Sequence, residues 1–201
     1  DHRPPVAPEL GTPSSRSARD ELSSAMVRVA YREFAREVRR WDPVRVILSG
    51  DGFPRPSARH QRQEHSWGQD TKSQYQELLL RDTPSPMDLL SAHLYEAREQ
   101  RFGSDSTAEE LLRVSMDAAR KARKPLFVGE FGANDEKGSD QARERLSSLL
   151  QAIERTRVPL SALWVYDYAG QDKVWNVTAS NSRAYQLRAI ADTNRRLSKL
   201  K

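Results

Sequence analysis

Two hydrophobic patterns alternate along the chain: short continuous apolar runs, and apolar residues spaced three or four positions apart. The first helical pattern starts near Asp20 and ends before Asp42-Pro43, because proline cannot continue a helix and disfavours helical geometry in the residue before it. Its apolar positions are Leu22, Met26, Val29, Ala30, Phe34 and Val38. Residues 1–19 are rich in proline and serine without this periodicity, so we predict an extended or disordered lead-in to one domain over 20–201.

Four apolar runs after this helix have the length of buried strands, and helical patterns follow them. Strands are predicted over 44–49, 87–94, 125–130 and 160–166, and helices over 70–81, 106–123, 139–156 and 181–197. A polar loop is predicted over 51–68. Ser106 and Glu109 match a capping box at the start of one helix, and Ser139 or Asp140 is expected to cap the next.

Strands that alternate with helices in this way predict an α/β fold with four consecutive βα units, parallel strands and right-handed crossovers. The pattern leaves the strand order open between an open doubly wound sheet and part of an eightfold barrel. In both architectures ligands bind at the carboxyl ends of the strands. We therefore expect the chemistry just after Ser49, Leu94, Glu130 and Tyr166.

Polar and aromatic residues gather at these strand ends. Glu130 ends an apolar strand and needs a partner or a function, because burial penalises an unpaired carboxylate. His93 and Tyr95 are two residues apart and therefore lie on one side of their strand, and Trp164 offers an apolar platform for a sugar ring. These side chains together indicate a carbohydrate site with a carboxylate nucleophile. Further candidates for substrate binding are Asp51, Trp67, Asp167 and Trp175.

Purely structural interpretations exist for single residues of this set. Glu130 can cap a turn or pair with an arginine, and Trp164 can belong to the core. His60 and His65 are five residues apart, which does not define a metal site without a third ligand, so no metal or cofactor is expected. Ser49 lacks the G-x-S-x-G surroundings of an esterase nucleophile, and an esterase is the lower-ranked alternative.

Composition narrows the function classes further. The 201 residues include 33 basic and 28 acidic side chains, a net charge of +5. Arginines alternate with acids, as in Arg36-Glu37, which favours ion-paired helix surfaces over a nucleic-acid-binding face. No apolar stretch approaches the ~20 residues that span a bilayer, so no membrane partner is expected, and no basic-then-apolar leader is visible. Because there are no cysteines, a disulfide framework and a cysteine nucleophile are excluded.

Three segments carry a family resemblance. They are KPLFVGEFG around Glu130, the His-x-Tyr of SAHLY at His93 and Tyr95, and ALWVYD at Trp164. Over about 20–197 the chain resembles the C-terminal half of a clan A glycoside hydrolase, closest to the cellulase- and mannanase-like family 5. In that family these motifs follow strands seven, six and eight of a β/α barrel. The resemblance implies a half-barrel of strands five to eight with Glu130 as nucleophile.

One motif of the family is missing from this sequence. The family takes its general acid/base from an Asn-Glu pair after the fourth strand, and this sequence contains no Asn-Glu dipeptide. Asp51 is the nearest candidate to replace it. The implied function is a retaining glycosidase for β-linked glucan or mannan-type chains, weak or inactive as an isolated chain. The family implies a secreted or periplasmic location, which the sequence itself leaves unknown. The alternative is a non-catalytic half-barrel that binds carbohydrate or forms a homodimer through its open sheet edges.

Overall fold

The computed structural model of the protein describes residues 24–199. Within them the helices are α1 (Ser24–Trp41), α2 (Ala58–Glu64), α3 (Lys72–Asp82), α4 (Ala108–Ala122), α5 (Ser139–Thr156) and α6 (Tyr185–Ser198). The strands are β1 (Leu90–Leu94), β2 (Arg98–Arg101), β3 (Ser104–Thr107), β4 (Leu126–Phe131) and β5 (Leu160–Leu163). The lead-in predicted over 1–19 lies outside the described residues, and the domain boundary after it stays a prediction.

The strand order decides between the two architectures that the sequence left open. β1, β4 and β5 form a parallel sheet in their order along the chain. Consecutive helices pack on one another, α3 on α4, α4 on α5 and α5 on α6, so they form one layer. A doubly wound sheet has helices on both faces, whereas a barrel has a single outer layer. The chain therefore has the architecture of a half-barrel, and the predicted fold class is confirmed.

The core lies between the sheet and the helical layer. Both β1 and β4 are rich in fully buried residues, which explains their nearly continuous apolar sequence. The fully buried apolar residues of this core are Leu90, Ala92, Leu112, Ala118, Leu126, Val128 and Leu149. Burial of each large aliphatic side chain stabilises the fold by ~1.5–3 kcal/mol. This packing fixes the positions of the carboxyl ends of β1 and β4, where the candidate site lies.

The strand predicted over 44–49 does not form, which corrects the sequence analysis. Ile47 makes one backbone hydrogen bond to the segment before β1, with its carbonyl accepting from the Asp88 N–H at 2.8 Å. The Ile47 N–H donates instead to the Asp88 carboxylate at 2.8 Å. A ladder cannot extend backwards from this point because Pro84 and Pro86 have no N–H to donate, and it does not extend forwards because the Leu90 N–H donates to the Pro125 carbonyl. Three of the four predicted strands therefore pair in the sheet.

Other boundaries also differ from the sequence expectation. β1 begins at Leu90 and β5 ends at Leu163, so both strands are shorter than predicted, and helix α2 lies inside the predicted loop over 51–68. Thr107 rather than Ser106 caps α4, because its hydroxyl accepts from the Glu110 N–H at 3.1 Å. The residue before α5 is Gly138, without a side-chain cap, so neither Ser139 nor Asp140 caps that helix.

The sequence analysis also missed the antiparallel hairpin of β2 and β3. Its two-residue turn, Phe102-Gly103, has positive φ at both positions, +60° and +78°. Such turns match the twist of the flanking strands, and glycine at the second position is a usual sequence signal for them. Ser106 belongs to this hairpin, and its hydroxyl donates to the Arg101 carbonyl at 3.0 Å.

Helix α1 forms as predicted, but most of its predicted apolar face is exposed, while Val38 of that face packs in a cluster, where it is partly buried. Met26, Val29 and Phe34 are 52%, 48% and 57% exposed, and Ala35 is the buried residue of this helix. Ala35 packs in a small separate cluster with Ile47 and Met87. In the described part of the chain, none of the helices combines the length and the hydropathy needed to span a bilayer.

Candidate active site

The register of the sheet places His93 opposite Glu130. From Leu90 to Ala92 the residues of β1 pair in step with β4, ending with Ala92 opposite Val128. The ladder then skips Gly129, so that His93 pairs with Glu130 instead of with the glycine. A bulge of this kind redirects the side chains that follow it. Directly paired residues of neighbouring parallel strands lie on the same face of the sheet, so the imidazole and the carboxylate meet.

His93 on β1 and Tyr95 just after β1 both contact the same oxygen atom of Glu130. The Tyr95 hydroxyl donates a short hydrogen bond to Glu130 Oε2. His93 Nδ1 lies 3.2 Å from the same oxygen. Neither of these two contacts involves the other carboxylate oxygen, Oε1. About a quarter of each side chain is exposed, 25% for His93 and 24% for Glu130, so the carboxylate is accessible and yet oriented.

Tyr95 is held in its neutral, proton-donating form. Burial raises the pKa of the Tyr95 phenol above its usual range, and its hydrogen bond to Glu130 and the negative charge of that carboxylate raise this pKa further. A phenol with a raised pKa keeps its proton at neutral pH and can only donate to the carboxylate. The pair therefore consists of an ionisable carboxylate and a permanent hydrogen-bond donor.

Trp175 borders this pair, and Trp164 directly follows β5. The Trp175 ring packs edge-on against Tyr95, with the ring centroids 5.2 Å apart and the planes at 71°. The Trp164 indole N–H donates to Gln171 Oε1 at 2.9 Å, and its backbone N–H donates to the Phe131 carbonyl at 2.8 Å. The peptide bond after Trp164 is cis. Both rings are partly exposed, as required for contact with a ligand.

Gly132 allows this close approach of Trp164 to β4. A Cβ atom at residue 132 would lie 2.5 Å from the Trp164 carbonyl oxygen, a distance that is sterically forbidden. The glycine of the Phe131-Gly132 pair is therefore required by packing between neighbouring chain segments, not by its backbone conformation.

Asp51 follows the segment that was predicted as the first strand, and Tyr31 on α1 binds it. The Tyr31 hydroxyl lies 2.8 Å from each carboxylate oxygen of Asp51. Burial, followed by the contact with Asp51, raises the pKa of the Tyr31 phenol. The adjacent Gly52 lies against the His93 ring, because a Cβ on Gly52 would be 3.8 Å from His93 Nδ1. Asp51 thus lies on a loop that reaches the cluster, whereas the sequence analysis did not identify Tyr31.

The remaining sequence candidates stand apart from this cluster in the contacts of residues 24–199. Trp67 is 81% exposed in the connection between α2 and α3. The Asp167 side chain is exposed, and its backbone N–H donates to the Val177 carbonyl at 3.0 Å. His60 has a structural role, with Nδ1 at 2.6 Å from the buried Asp70, while His65 ends α2 in the left-handed conformation.

Neither a serine triad nor a metal cluster is found among the described residues. The Ser49 hydroxyl accepts a 3.4 Å hydrogen bond from the Asp51 N–H, and none of the histidines in the described part of the chain is among its hydrogen-bond partners. Residues 24–199 also contain no group of three His, Asp or Glu side chains placed to hold a metal ion.

Comparison with known proteins gives the class of this fold. Neither a protein-family model nor a curated protein sequence matches the chain. An endo-1,4-beta-mannanase from Rhizomucor miehei aligns with 94% of this chain and 49% of its own, with a TM-score of 0.61 and 16% identity. The hyperthermostable endo-1,4-beta-D-mannanase from Thermotoga petrophila RKU-1 covers 84% of this chain and 52% of its own, with a TM-score of 0.54 and 13% identity.

A glycoside hydrolase family 5 mannosidase from Rhizomucor miehei is also similar to this chain in structure. It covers 86% of this chain and 49% of its own, with a TM-score of 0.54 and 10% identity. The chain spans about half the length of the solved structures it matches. At these identities the similarity establishes the fold: the chain folds like part of a family 5 glycoside hydrolase barrel, as its three sequence motifs predicted.

Proposed function

We propose that this chain is the strand-five-to-eight half of a retaining glycoside hydrolase for β-linked glucan or mannan-type chains, with Glu130 as the nucleophile. The observation that carries the proposal is the shared contact of Tyr95 and His93 with Glu130 Oε2. These two groups orient the carboxylate, which leaves Oε1 to attack an anomeric carbon. They are positioning residues in this scheme.

The proposed chemistry follows from this geometry. Oε1 of Glu130 forms a bond to the anomeric carbon while the bond to the leaving oxygen breaks, and a glycosyl ester results. Water then hydrolyses the ester, which restores the carboxylate. Trp164 and Trp175 are suited to hold the sugar ring by apolar contact, and we assign Asp51 to contacts with sugar hydroxyl groups. The substrate-binding roles of Trp67 and Asp167 stay predictions from the sequence, because both residues stand apart from the cluster around Glu130.

A second carboxyl group is required for full activity. Retaining enzymes hold two carboxyl groups ~5–5.5 Å apart, the second of which protonates the leaving oxygen. The contacts among residues 24–199 bring no other carboxylate to Glu130, and general acid catalysis contributes ~10²–10⁴-fold to the rate. We therefore expect this chain alone to be a weak or inactive glycosidase towards natural glycosides.

Trapping of the glycosyl ester tests the nucleophile without the second carboxyl group. Fluoride leaves without protonation, so 2-deoxy-2-fluoro-β-mannosyl and β-glucosyl fluorides require only the nucleophile. We expect mass spectrometry to find the fluorosugar on the peptide that contains Glu130, and no adduct in Glu130→Gln. Glu136→Gln is the matched control, because Glu136 is exposed in the loop after β4. An adduct that persists in Glu130→Gln would contradict the assignment.

A second candidate function is a non-catalytic half-barrel that pairs with another copy of itself. The observation that favours it is the exposure of large apolar residues at both ends of the sheet. Phe34 on α1 and Val46 in the segment after α1 are each 57% exposed, while Leu160 on β5 at the other end is 53% exposed. Contact between these two ends in a symmetric dimer would cover both surfaces.

Light scattering on the purified chain separates the two candidates. The dimer predicts a mass of twice that of one chain, which Phe34→Glu should reduce to the monomer mass. Gln141→Glu is the control, because it adds the same charge at an exposed position of α5. A strict monomer at high concentration, together with a trapped glycosyl ester, would exclude the dimer as the main function.

A further inference from the structure

Arg183, just before α6, is a buried cation that the proposed chemistry does not use. Only 6% of the residue is exposed. Its guanidinium donates to the carbonyl oxygens of Asn176 at 3.1 Å, Asp172 at 3.0 Å and Lys173 at 2.7 Å. Its Nε lies 3.0 Å from Asp135 Oδ2, an ion pair in which the N–H is not aimed at the oxygen. Four oxygens therefore compensate the burial of one charge.

The four oxygens belong to two different loops. Three are backbone carbonyls of the loop after β5, and the fourth belongs to Asp135 in the loop after β4. The same loops are also joined directly, because the Asp135 N–H donates to the Val174 carbonyl at 3.4 Å. Arg183 thus connects the segment that follows Glu130 to the segment that carries Trp175.

Contacts continue from this connection to the carboxylate. Trp175 follows Val174 in the connected loop, and its N–H donates to the Gln171 carbonyl at 3.0 Å. Its ring packs against Tyr95 at 5.2 Å, and the Tyr95 hydroxyl donates to Glu130. The position of the Trp175 ring against Tyr95 therefore depends on a loop that the buried guanidinium holds.

We propose that Arg183 and its partner Asp135 are positioning residues that hold the Trp175 ring as one wall of the sugar site. This inference rests on the proposed glycosidase function for its biological meaning, but the positioning itself is a property of the chain alone. Arg183 does not contact the reacting atoms and acts only through the loop over 172–176. Its loss should therefore weaken sugar binding more than it slows the bond-breaking step.

Fluorine NMR of protein labelled with 5-fluorotryptophan tests the positioning directly. The chain has four tryptophans, so four resonances are expected, and Trp175→Phe identifies the one from Trp175. In Asp135→Asn we expect a shift of the Trp175 resonance, with those of Trp41 and Trp67 unchanged. Asp105→Asn is the matched control, because it breaks the Arg98–Asp105 ion pair of 2.7 Å in the β2–β3 hairpin and should leave Trp175 unaffected.

Substitutions of Arg183 provide the second arm. Arg183→Gln should move the Trp175 resonance further than Arg183→Lys, because lysine keeps the charge and part of the hydrogen bonding. An unchanged Trp175 resonance in Asp135→Asn and Arg183→Gln would overturn the proposal. Collapse of all four resonances in both variants would also overturn it, because Arg183 would then support the whole fold.

The test of Arg183 and Asp135 as positioning residues is independent of the test of catalysis. If no glycosyl ester can be trapped but the Trp175 resonance moves, the positioning role stands and the proposed function fails. If turnover of an aryl glycoside is measurable, we expect KM to rise several-fold in Asp135→Asn with kcat within about twofold of the parent. A fall in kcat with unchanged KM would contradict the assignment of Trp175 as a wall of the binding site.

Discussion

His93 stands directly opposite Glu130 in the parallel ladder of β1 and β4, because the ladder skips Gly129. Without this one-residue bulge, Glu130 would pair with Leu94 and point to the face of the sheet opposite His93. The irregularity therefore creates the contact on which the candidate active site depends. As a result, His93 and Tyr95 of one motif converge on a single carboxylate oxygen of Glu130 in the other.

Removal of the Tyr95 hydroxyl should slow formation of the glycosyl ester. Misplacement of a reacting group by about 1 Å can cost ~10²-fold in rate, so Tyr95→Phe, which frees the carboxylate to rotate, is expected to reduce the trapping rate by about 10- to 100-fold. The measurement is the time course of adduct formation with the 2-fluoro glycosyl fluorides. Tyr166→Phe, at an exposed tyrosine, should trap at the parental rate. Equal rates for Tyr95→Phe and the parent would show that the phenol does not orient Glu130.

A methyl group at residue 132 should destabilise the junction of β4 and β5. In Gly132→Ala the new Cβ meets the Trp164 carbonyl oxygen at 2.5 Å, so one of the two segments must move. We expect a loss of ~1–3 kcal/mol in the free energy of unfolding, measured by urea denaturation. In Gly52→Ala the nearest atom is 3.8 Å away, and this control should lose far less stability. Equal losses in the two variants would refute the steric argument.

Alkaline pH should weaken the fold through Tyr75. Burial raises the pKa of its phenol above the unfolded value of 10.0, although its hydrogen bond to Ser115 partly opposes this rise. The folded state therefore binds the phenolic proton more tightly, and this stabilisation is complete below pH 10 and is lost as the pH rises above it. One such group changes the free energy of unfolding by up to ~1.4 kcal/mol per pH unit.

Urea denaturation of Tyr75→Phe between pH 9 and 11 checks this dependence. We expect the variant to lose less stability than the parent over this range, since phenylalanine has no proton to lose. The Ser115 hydroxyl keeps a partner in the variant, because it also donates to the Leu111 carbonyl at 2.8 Å. Parallel curves for variant and parent would contradict the raised pKa.

The caps of α4 and α5 should respond differently to the same kind of substitution. Thr107→Ala removes the side-chain acceptor of the Glu110 N–H and should cost ~1 kcal/mol of stability. Ser139→Ala should be nearly neutral, because α5 begins after Gly138 without a side-chain cap. Thermal unfolding of both variants measures the difference. A larger loss of stability in Ser139→Ala than in Thr107→Ala would support Ser139 as the N-cap of α5, as the sequence predicted.

Buried strands and short motifs were the features that the sequence predicted correctly. The run PLFVGE over 125–130 identified β4 within one residue at each end, because a buried parallel strand is apolar on both faces and therefore appears as a continuous run. The motifs around His93, Tyr95, Glu130 and Trp164 also identified the barrel class, which the fold confirms. The roles assigned to these residues remain predictions for the experiments above.

Sequence reasoning failed where a distant segment decides the outcome. VRVILS resembles a strand, but Pro84 and Pro86 before its would-be neighbour cannot donate to a ladder, and the Leu90 N–H of that neighbour donates to the Pro125 carbonyl. The positions of Val29 and Phe34 on α1 resemble an apolar face that packs on the core. The residue of this helix that is buried is instead Ala35. No sequence pattern indicated a role for Tyr31, because its partner Asp51 is twenty residues away in the chain.

The sequence by itself determined the alternation of strands and helices, the barrel resemblance and the identity of the polar residues at the strand ends, because these depend on local periodicity and short motifs. Only the tertiary structure decided which oxygen of Glu130 is bound, how the skipped Gly129 aligns His93 with it, and how Arg183 holds the loop of Trp175. These relationships depend on strand register and on contacts between loops far apart in the chain, and local sequence patterns carry no record of either.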